Sequence, residues 1–277
     1  MEIREQRHEG VNLERLVSRL GGALAVDLAE LATVRSLWRT AQHHRARSFV
    51  SANAGVRLIT SGWAGWIREL GDGKRPIFLF LLPGDFIIPG IPEEEIGCHV
   101  VCLTPLRTVD AVPLLARGND GAPVAPRSAA LIARTGRDYR LLLLDQLTRL
   151  ASGNSTSRIA HLLLELHMRM EAAGCCEEGR FDLPIGQRVI GQALGRSAVQ
   201  INRCFAELRA DSMMRFGTNW VQLMNVERLE RLGGLGRRAA PTVESRPWTP
   251  IRPVEVRPDE VRPVEVRPDE VRRRVAA

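Results

Sequence analysis

Seven side chains within a stretch of seventeen residues carry the chemistry of this sequence: Gln187, Arg196, Ser197, Val199, Gln200, Asn202 and Arg203. It is the chemistry of recognition, not of bond breaking. A guanidinium presents parallel N–H groups that match O6 and N7 of guanine, a contact that discriminates against the wrong base by about 1–3 kcal/mol. Arg203 is the candidate for that contact. The amides of Gln200 and Asn202 can bond a base edge or a phosphate, and the Ser197 hydroxyl suits either a helix end or a phosphate. Gln187 and Arg196 complete the candidate DNA-binding set.

Side chains of this kind need a rigid carrier. Leu183 to Leu194 reads as a short helix, Gly195 as the turn, and Ser197 as the start of a second helix. Two helices joined so tightly make a helix-turn-helix, a shape that enters the major groove. Along the second helix Ile201, Cys204, Phe205 and Leu208 recur at i, i+3, i+4 and i+7, a buried stripe. At ~100° per residue the other side carries Val199, Arg203, Ala206 and Ala210, flanked by Asn202. The small Ala206 and Ala210 allow close approach to a duplex. A generic helix pair in a bundle is the plainer reading, and the next segment argues against it. Gly217-Thr218-Asn219 is a turn between short apolar segments, which reads as a β-hairpin wing. Arg215 and Asn219 there suit contact with a DNA backbone, and a solvated hairpin is equally compatible with those two residues alone. A last amphipathic helix follows, with Val226, Leu229 and Leu232 on one side.

From about Leu58 to Leu232 the sequence resembles the Crp/Fnr family of bacterial transcription regulators. The first block is Leu58-Ile59-Thr60-Ser61-Gly62-Trp63-Ala64, Leu70 to Arg75 and Phe80 to Phe86. The second is Ser157 to Leu166. The third is Leu183-Pro184, Gln187, Ala193-Leu194-Gly195 and Val199 to Arg203. The resemblance implies an α+β protein: an N-terminal jelly-roll-like β-roll sensor domain, a long dimerisation helix and a C-terminal winged helix-turn-helix. It implies a homodimer on a palindromic double-stranded DNA site, with RNA polymerase as a further partner. Family members often carry a Glu one turn before the Arg, reading cytosine. Val199 stands there in this chain, so that part of the site must differ, and a thymine methyl suits it.

Domain limits follow: 1–40 a helical segment, 41–126 the roll, 127–152 the dimerisation helix, 153–236 the winged helix-turn-helix and 237–277 a tail. Val11 to Leu37 has Leu13, Leu16, Val17 and Leu20 at helical spacing. From Ala41 to Pro113 short apolar segments alternate with turns, Gly71-Asp72-Gly73 being a hairpin signal and Pro83-Gly84-Asp85 another turn. Ser128 to Ala151 reads as one helix, and Tyr139, Leu143, Gln146 and Leu150 follow a heptad-like spacing that suits a parallel helix pair. Packing of the same helix on its own roll is the alternative. Gly153 breaks it, Asn154 or Ser155 caps the next helix, and Ile159, Leu162, Leu163, Leu166 and Met170 form an apolar stripe. In the tail, Arg252 to Val271 is four pentads alternating Arg-Pro-Val-Glu-Val with Arg-Pro-Asp-Glu-Val. Pro at every fifth position forbids helix and central strand, which predicts an extended disordered segment.

Nucleotide-binding members hold the cyclic phosphate with a Gly-Glu turn followed by an Arg. Here no Arg or Lys occurs between Arg75 and Arg107, and Glu93-Glu94-Glu95 occupies the region. Carboxylates repel a phosphate, so a cyclic nucleotide is not the expected effector. No cofactor is expected and the effector is unknown. Haem, metal or redox sensing through Cys98, His99 and Cys102 is the lesser option, buried structural Cys the greater. Cys98 and Cys102 are ~13 Å apart along an extended strand, beyond the ~7 Å that a disulfide spans. The N-terminal Cys cluster of iron–sulfur family members is missing. Cys175-Cys176 reads as a connector with inert thiols, and His43-His44 has no further metal ligand nearby.

Composition sets weaker bounds. The 277 residues are 44% hydrophobic, enough for two modest cores. The net charge of +7 is mild for a nucleic-acid binder, and the tail contributes ten Arg against seven acids. Lys74 is the only Lys, so the cations suit phosphate and guanine contacts, although a GC-rich genome explains most of that bias. No apolar run approaches the ~20 residues of a membrane span, and the odd number of Cys fits a reducing compartment, so a cytoplasmic, membrane-free protein is expected. Paired carboxylates beside a His, a Gly-rich phosphate loop and a metal triad are all missing, which argues against an enzyme. The remaining alternative is an effector-binding or redox-sensing adaptor that no longer binds DNA.

Overall fold

The computed structural model describes residues 40–51, 55–89, 96–112, 124–151 and 153–234. The expected helix from Val11 to Leu37, the Glu93-Glu94-Glu95 stretch and the pentad tail lie outside the described residues.

Among the described residues, eight short strands build the first half: β1 (Gln42–His44), β2 (Phe49–Val50), β3 (Arg57–Ser61), β4 (Ala64–Arg68), β5 (Ile77–Leu81), β6 (Phe86–Ile87), β7 (Cys98–Cys102) and β8 (Leu106–Asp110). They pair antiparallel in two four-stranded sheets, in the orders β1-β8-β3-β6 and β2-β7-β4-β5, as the β-roll expectation requires. Sequence pattern marks no strands over β1 and β2, which are too short and polar to announce themselves. Cross-strand rows set the faces. Ala64, Leu81 and Cys102 face one another in register, as do Trp66, Leu79 and Val100. With Ile59, Ile87 and Leu106 they fill the roll interior. The alternate rows are apolar too: Ile67, Ile77, Phe80 and neighbouring Trp63 and Leu82 join the core of the C-terminal half. Burial on both faces is why β5 reads Ile-Phe-Leu-Phe-Leu without alternation.

Helix α1 (Val124–Ala151) begins four residues before the expected Ser128. Pro126 lies in its first turn, where a backbone N–H would have no intrahelical acceptor, so its missing donor costs nothing there. The heptad-like seam is corrected by the structure. Tyr139 and Gln146 are buried within their own chain and Leu143 packs against the roll. The Tyr139 hydroxyl donates to the Phe86 carbonyl, and burial raises its pKa far above the usual phenol range, so it stays a donor. The face left open carries Leu141, Leu144, Leu147 and Leu150, with Leu144 58% and Leu147 62% exposed. Of the four heptad positions Leu150 alone is exposed, and the most open leucines, Leu144 and Leu147, stand off that spacing.

Helix α2 (Ser155–Ala172) is capped by Asn154, whose side chain accepts from the Ser157 N–H. Its stripe of Ile159, Leu162, Leu163, Leu166 and Met170 is buried, as the spacing predicts. Strands β9 (Cys176–Glu177) and β10 (Arg180–Asp182) follow, then α3 (Gln187–Leu194), α4 (Ala198–Ala210), β11 (Met214–Phe216), β12 (Trp220–Leu223) and α5 (Val226–Gly233). Cys175-Cys176 is therefore not a plain connector. Cys176 opens a hairpin, paired with Phe181 across the Glu178-Gly179 turn. That hairpin adds two strands to the wing, giving the order β11-β12-β10-β9.

Candidate nucleic-acid interface

Two glycines give the α3–α4 turn its tightness. Gly195 closes α3 in the left-handed region at φ 62°, a conformation that strains any residue with a Cβ. Gly191 sits where a Cβ would lie 2.4 Å from the Arg196 carbonyl oxygen, so the chain after the turn can fold back onto α3 only over a bare backbone. Ser197 then caps α4. Its hydroxyl accepts from the Gln200 N–H while the Gln200 side chain accepts from the Ser197 N–H, a reciprocal capping box. Ile201, Cys204, Phe205 and Leu208 are buried beneath α4, against Ile190, Ala193 and Leu194 of α3.

The opposite flank of α4 is open. Val199 is 79% exposed, and the Arg203 side chain 83%. Asn202, Ala206 and Ala210 are exposed beside them. The structure thus brings Val199, Asn202 and Arg203 onto one solvent face, with Gln187 reaching it from α3 and donating to Asn202 Oδ1 at 3.1 Å. Ser197 and Gln200 lie at the helix start with their side chains partly committed to the cap. Arg196 is half-buried and its Nε donates to Ser155 Oγ at 2.8 Å, so it braces the turn against α2. No acidic residue occupies the first turn of α4, leaving the positive end of the helix dipole unopposed there. In the wing, Arg215 and Asn219 are exposed, and the Arg180 guanidinium lies 4.1 Å from the Trp220 ring centroid.

Residues outside the sequence-derived set hold this surface in place. Three consecutive hydroxyls at the start of α2 each grip a different element. Ser155 takes Arg196, Thr156 donates to Glu207 of α4 at 2.8 Å, and Ser157 donates to the Leu232 carbonyl of α5 at 2.7 Å. A buried polar chain ties α3 to the roll. Gln146 Nε2 donates to the Ala193 carbonyl at 2.6 Å, and Arg149 donates to both Gln146 and Glu165. Arg169 donates to Glu165 at 2.9 Å, to the Phe80 carbonyl at 2.7 Å and to Asp85, whose carboxylate also accepts the Leu82 N–H. Burial alone would raise the Glu165 pKa, but Arg149 and Arg169 flank it with charge and hydrogen bonds and the net shift is downward. The i,i+4 spacing of Glu165 and Arg169 is visible in the sequence; the partners far along the chain are not.

In the roll, Cys98 and Cys102 face the buried side of β7 while His99 lies on the other face, its ring centroid 5.2 Å from that of Phe49. The three do not converge on a point. Burial raises the Cys102 pKa, partly offset by a hydrogen bond from Ser48. Among the described residues no three His, Cys, Asp or Glu side chains gather as a metal site would need, and no described helix is long and apolar enough to cross a membrane.

Residues 157–232 match the model of the Crp-like helix-turn-helix domain. That segment is similar to Crp-like helix-turn-helix domains. The fold is shared with solved structures. FixK2 from Bradyrhizobium japonicum aligns with a TM-score of 0.55 at 24% identity, over 69% of this chain and 96% of its own. A CRP-family transcriptional regulator from Thermus thermophilus aligns with a TM-score of 0.50 at 17% identity, over 70% of this chain and 96% of its own. Comparison with curated protein sequences gives no match. In the Crp-like domain of this chain, α3 and α4 are the helix pair and β11–β12 the wing.

Proposed function

We propose that this chain is a sequence-specific DNA-binding transcription regulator of the Crp/Fnr type, acting as a homodimer on a palindromic site. The observation that carries this reading is the two-sidedness of α4. One face is locked into the core, and the other offers Val199, Asn202 and Arg203 to solvent on a capped, rigid helix. A helix N-terminus with an Arg, an Asn and a small apolar side chain directed outward suits the major groove, with Arg203 on a guanine and Val199 against a thymine methyl. Ala206 and Ala210 let the groove walls come close, and Arg215 of the wing suits a phosphate.

Dimerisation is supported by the exposed Leu144 and Leu147, neighbours on one face of α1, with Leu141 and Leu150 exposed to either side of them. A two-fold axis along that face sets two α4 helices against successive major grooves, ~34 Å apart. The effector at the roll is not a cyclic nucleotide on this reading, because the chain offers no cation between Arg75 and Arg107 to hold a phosphate. The buried chain from Asp85 through Arg169, Glu165, Arg149 and Gln146 to Ala193 supports a mechanical link between that roll and α3. RNA polymerase is the partner that such a regulator works on, and the cytoplasm the compartment where both are found.

Selection of duplexes bound by the full-length protein from a randomised library tests the reading. Enrichment of an inverted repeat with half-sites about one helical turn apart is expected. Recovery of random sequence, or of a single asymmetric element, would overturn it.

A further inference from the structure

Resting on the reading of Arg203 as a guanine contact, we propose that Glu207 and Thr156 are positioning residues. They set the direction of the Arg203 guanidinium, and with it specificity at one base pair. Arg203 Nε donates to Glu207 Oε1 at 3.3 Å, and Thr156 Oγ1 donates to Glu207 Oε2 at 2.8 Å. One carboxylate thus joins an exposed Arg to a half-buried hydroxyl on a different helix.

The Glu is badly placed for any plainer task. It stands in the last turn of α4, where a negative charge opposes the helix dipole. The order Arg then Glu at i,i+4 is the weaker of the two orientations for stabilising a helix. Beside a duplex a carboxylate also repels phosphates. An i,i+4 pair standing alone would let both long side chains swing together. Anchored by Thr156, the carboxylate becomes a fixed stop against which Arg203 leans. Because Nε–H is taken by Glu207, the two terminal nitrogens remain for guanine, so the contact is made end-on. Thr156 belongs to α2, so the stop is tied to the body of the domain instead of to the recognition helix alone. Asn202 has its own brace in Gln187 and is independent of this arrangement.

The experiment begins with the duplex selected by the full-length protein. The base pair read by Arg203 is the one whose substitution the Arg203→Ala variant no longer senses. Affinities are then measured for wild type, Glu207→Gln, Thr156→Val and Thr156→Ser on the selected duplex and on duplexes changed at each position in turn. Wild type should prefer its guanine by about tenfold or more. Glu207→Gln and Thr156→Val should bring that preference to about threefold or less at that pair, and leave preferences elsewhere in the site. Glu207→Gln should also bind unrelated duplex more tightly, having lost a negative charge, whereas Thr156→Val should not. Thr156→Ser, which keeps the hydroxyl, should retain the preference. Undiminished preference in both Glu207→Gln and Thr156→Val overturns the positioning role, and so does a loss spread over every position, which marks a displaced helix. If wild type itself selects no sequence, the DNA-reading proposal fails, a different result seen before any variant is made.

Discussion

Glu165 is the residue whose removal the structure makes most costly. Its carboxylate is buried and accepts hydrogen bonds from two guanidiniums, Arg149 on α1 and Arg169 on its own helix. Glu165→Gln keeps the size but replaces one acceptor oxygen with an N–H donor. One Arg keeps a neutral acceptor and the other meets a donor. Arg169 retains Asp85 and the Phe80 carbonyl, and Arg149, when it is the one that meets the donor, keeps Gln146 as its acceptor among the described residues. Taking one partner from a buried ion pair costs about 3–5 kcal/mol. A described region of this size loses ~2–4 °C of melting temperature per kcal/mol, so a fall of roughly 6–20 °C is expected in a circular-dichroism melt. The double variant Arg149→Leu, Glu165→Leu removes both charges together and should recover much of that loss, since an apolar pair of similar volume can replace a buried ion pair. A Glu165→Gln protein melting within about 2 °C of wild type would refute the claim that this network holds the two halves together. The same network fixes a pH dependence. The folded-state pKa of Glu165 lies below its unfolded value of ~4.3, so the stabilisation is complete above about pH 5 and is lost as pH falls through that value and below it. A melting temperature that rises on acidification from pH 5 to pH 3 would contradict the sign.

Other outcomes follow from single contacts. Gly191→Ala places a methyl 2.4 Å from the Arg196 carbonyl. Overpacking of about 1–3 kcal/mol matches or exceeds the ~1 kcal/mol gained in helix propensity, and because the methyl pushes on the turn that sets α4, DNA affinity should fall in a mobility shift while the melting temperature drops only slightly. Leu144→Glu with Leu147→Glu puts charge on the open stripe of α1 and should yield a monomer by sedimentation while the melt stays cooperative; a persistent dimer would place the interface elsewhere. Ser197→Ala removes the α4 cap and should cost about 1 kcal/mol in a denaturant titration.

How much of this is legible in the sequence depends on the range of the interactions. The caps at Asn154 and Ser197, the turn at Gly195 and the buried stripes of α2 and α4 rest on residues a few positions apart, and their spacing announces them. The exposed flank of α4 follows from the same periodicity. The open stripe of α1 does not, because Tyr139 and Gln146 are drawn inward by the Phe86 and Ala193 carbonyls, 53 and 47 residues away, and no local pattern encodes such partners. The hydroxyl grip of Ser155-Thr156-Ser157 is hidden for the same reason: three polar residues at a helix start look like capping alone until Glu207 and Leu232 come into place. The β9–β10 hairpin is too short for alternation to register, so Cys176 reads as loop.

The direct test of the account is the Arg203→Ala variant on the selected duplex and on an unrelated one, by mobility shift at fixed salt. Arg203 is solvent-exposed and its loss leaves the core of α4 untouched. The variant should remain dimeric and folded, and its preference for the selected duplex over the unrelated one should fall by roughly 5–150-fold per half-site, the equivalent of the ~1–3 kcal/mol of a bidentate guanine contact. Unchanged discrimination between the two duplexes would contradict the assignment of this helix face to reading DNA.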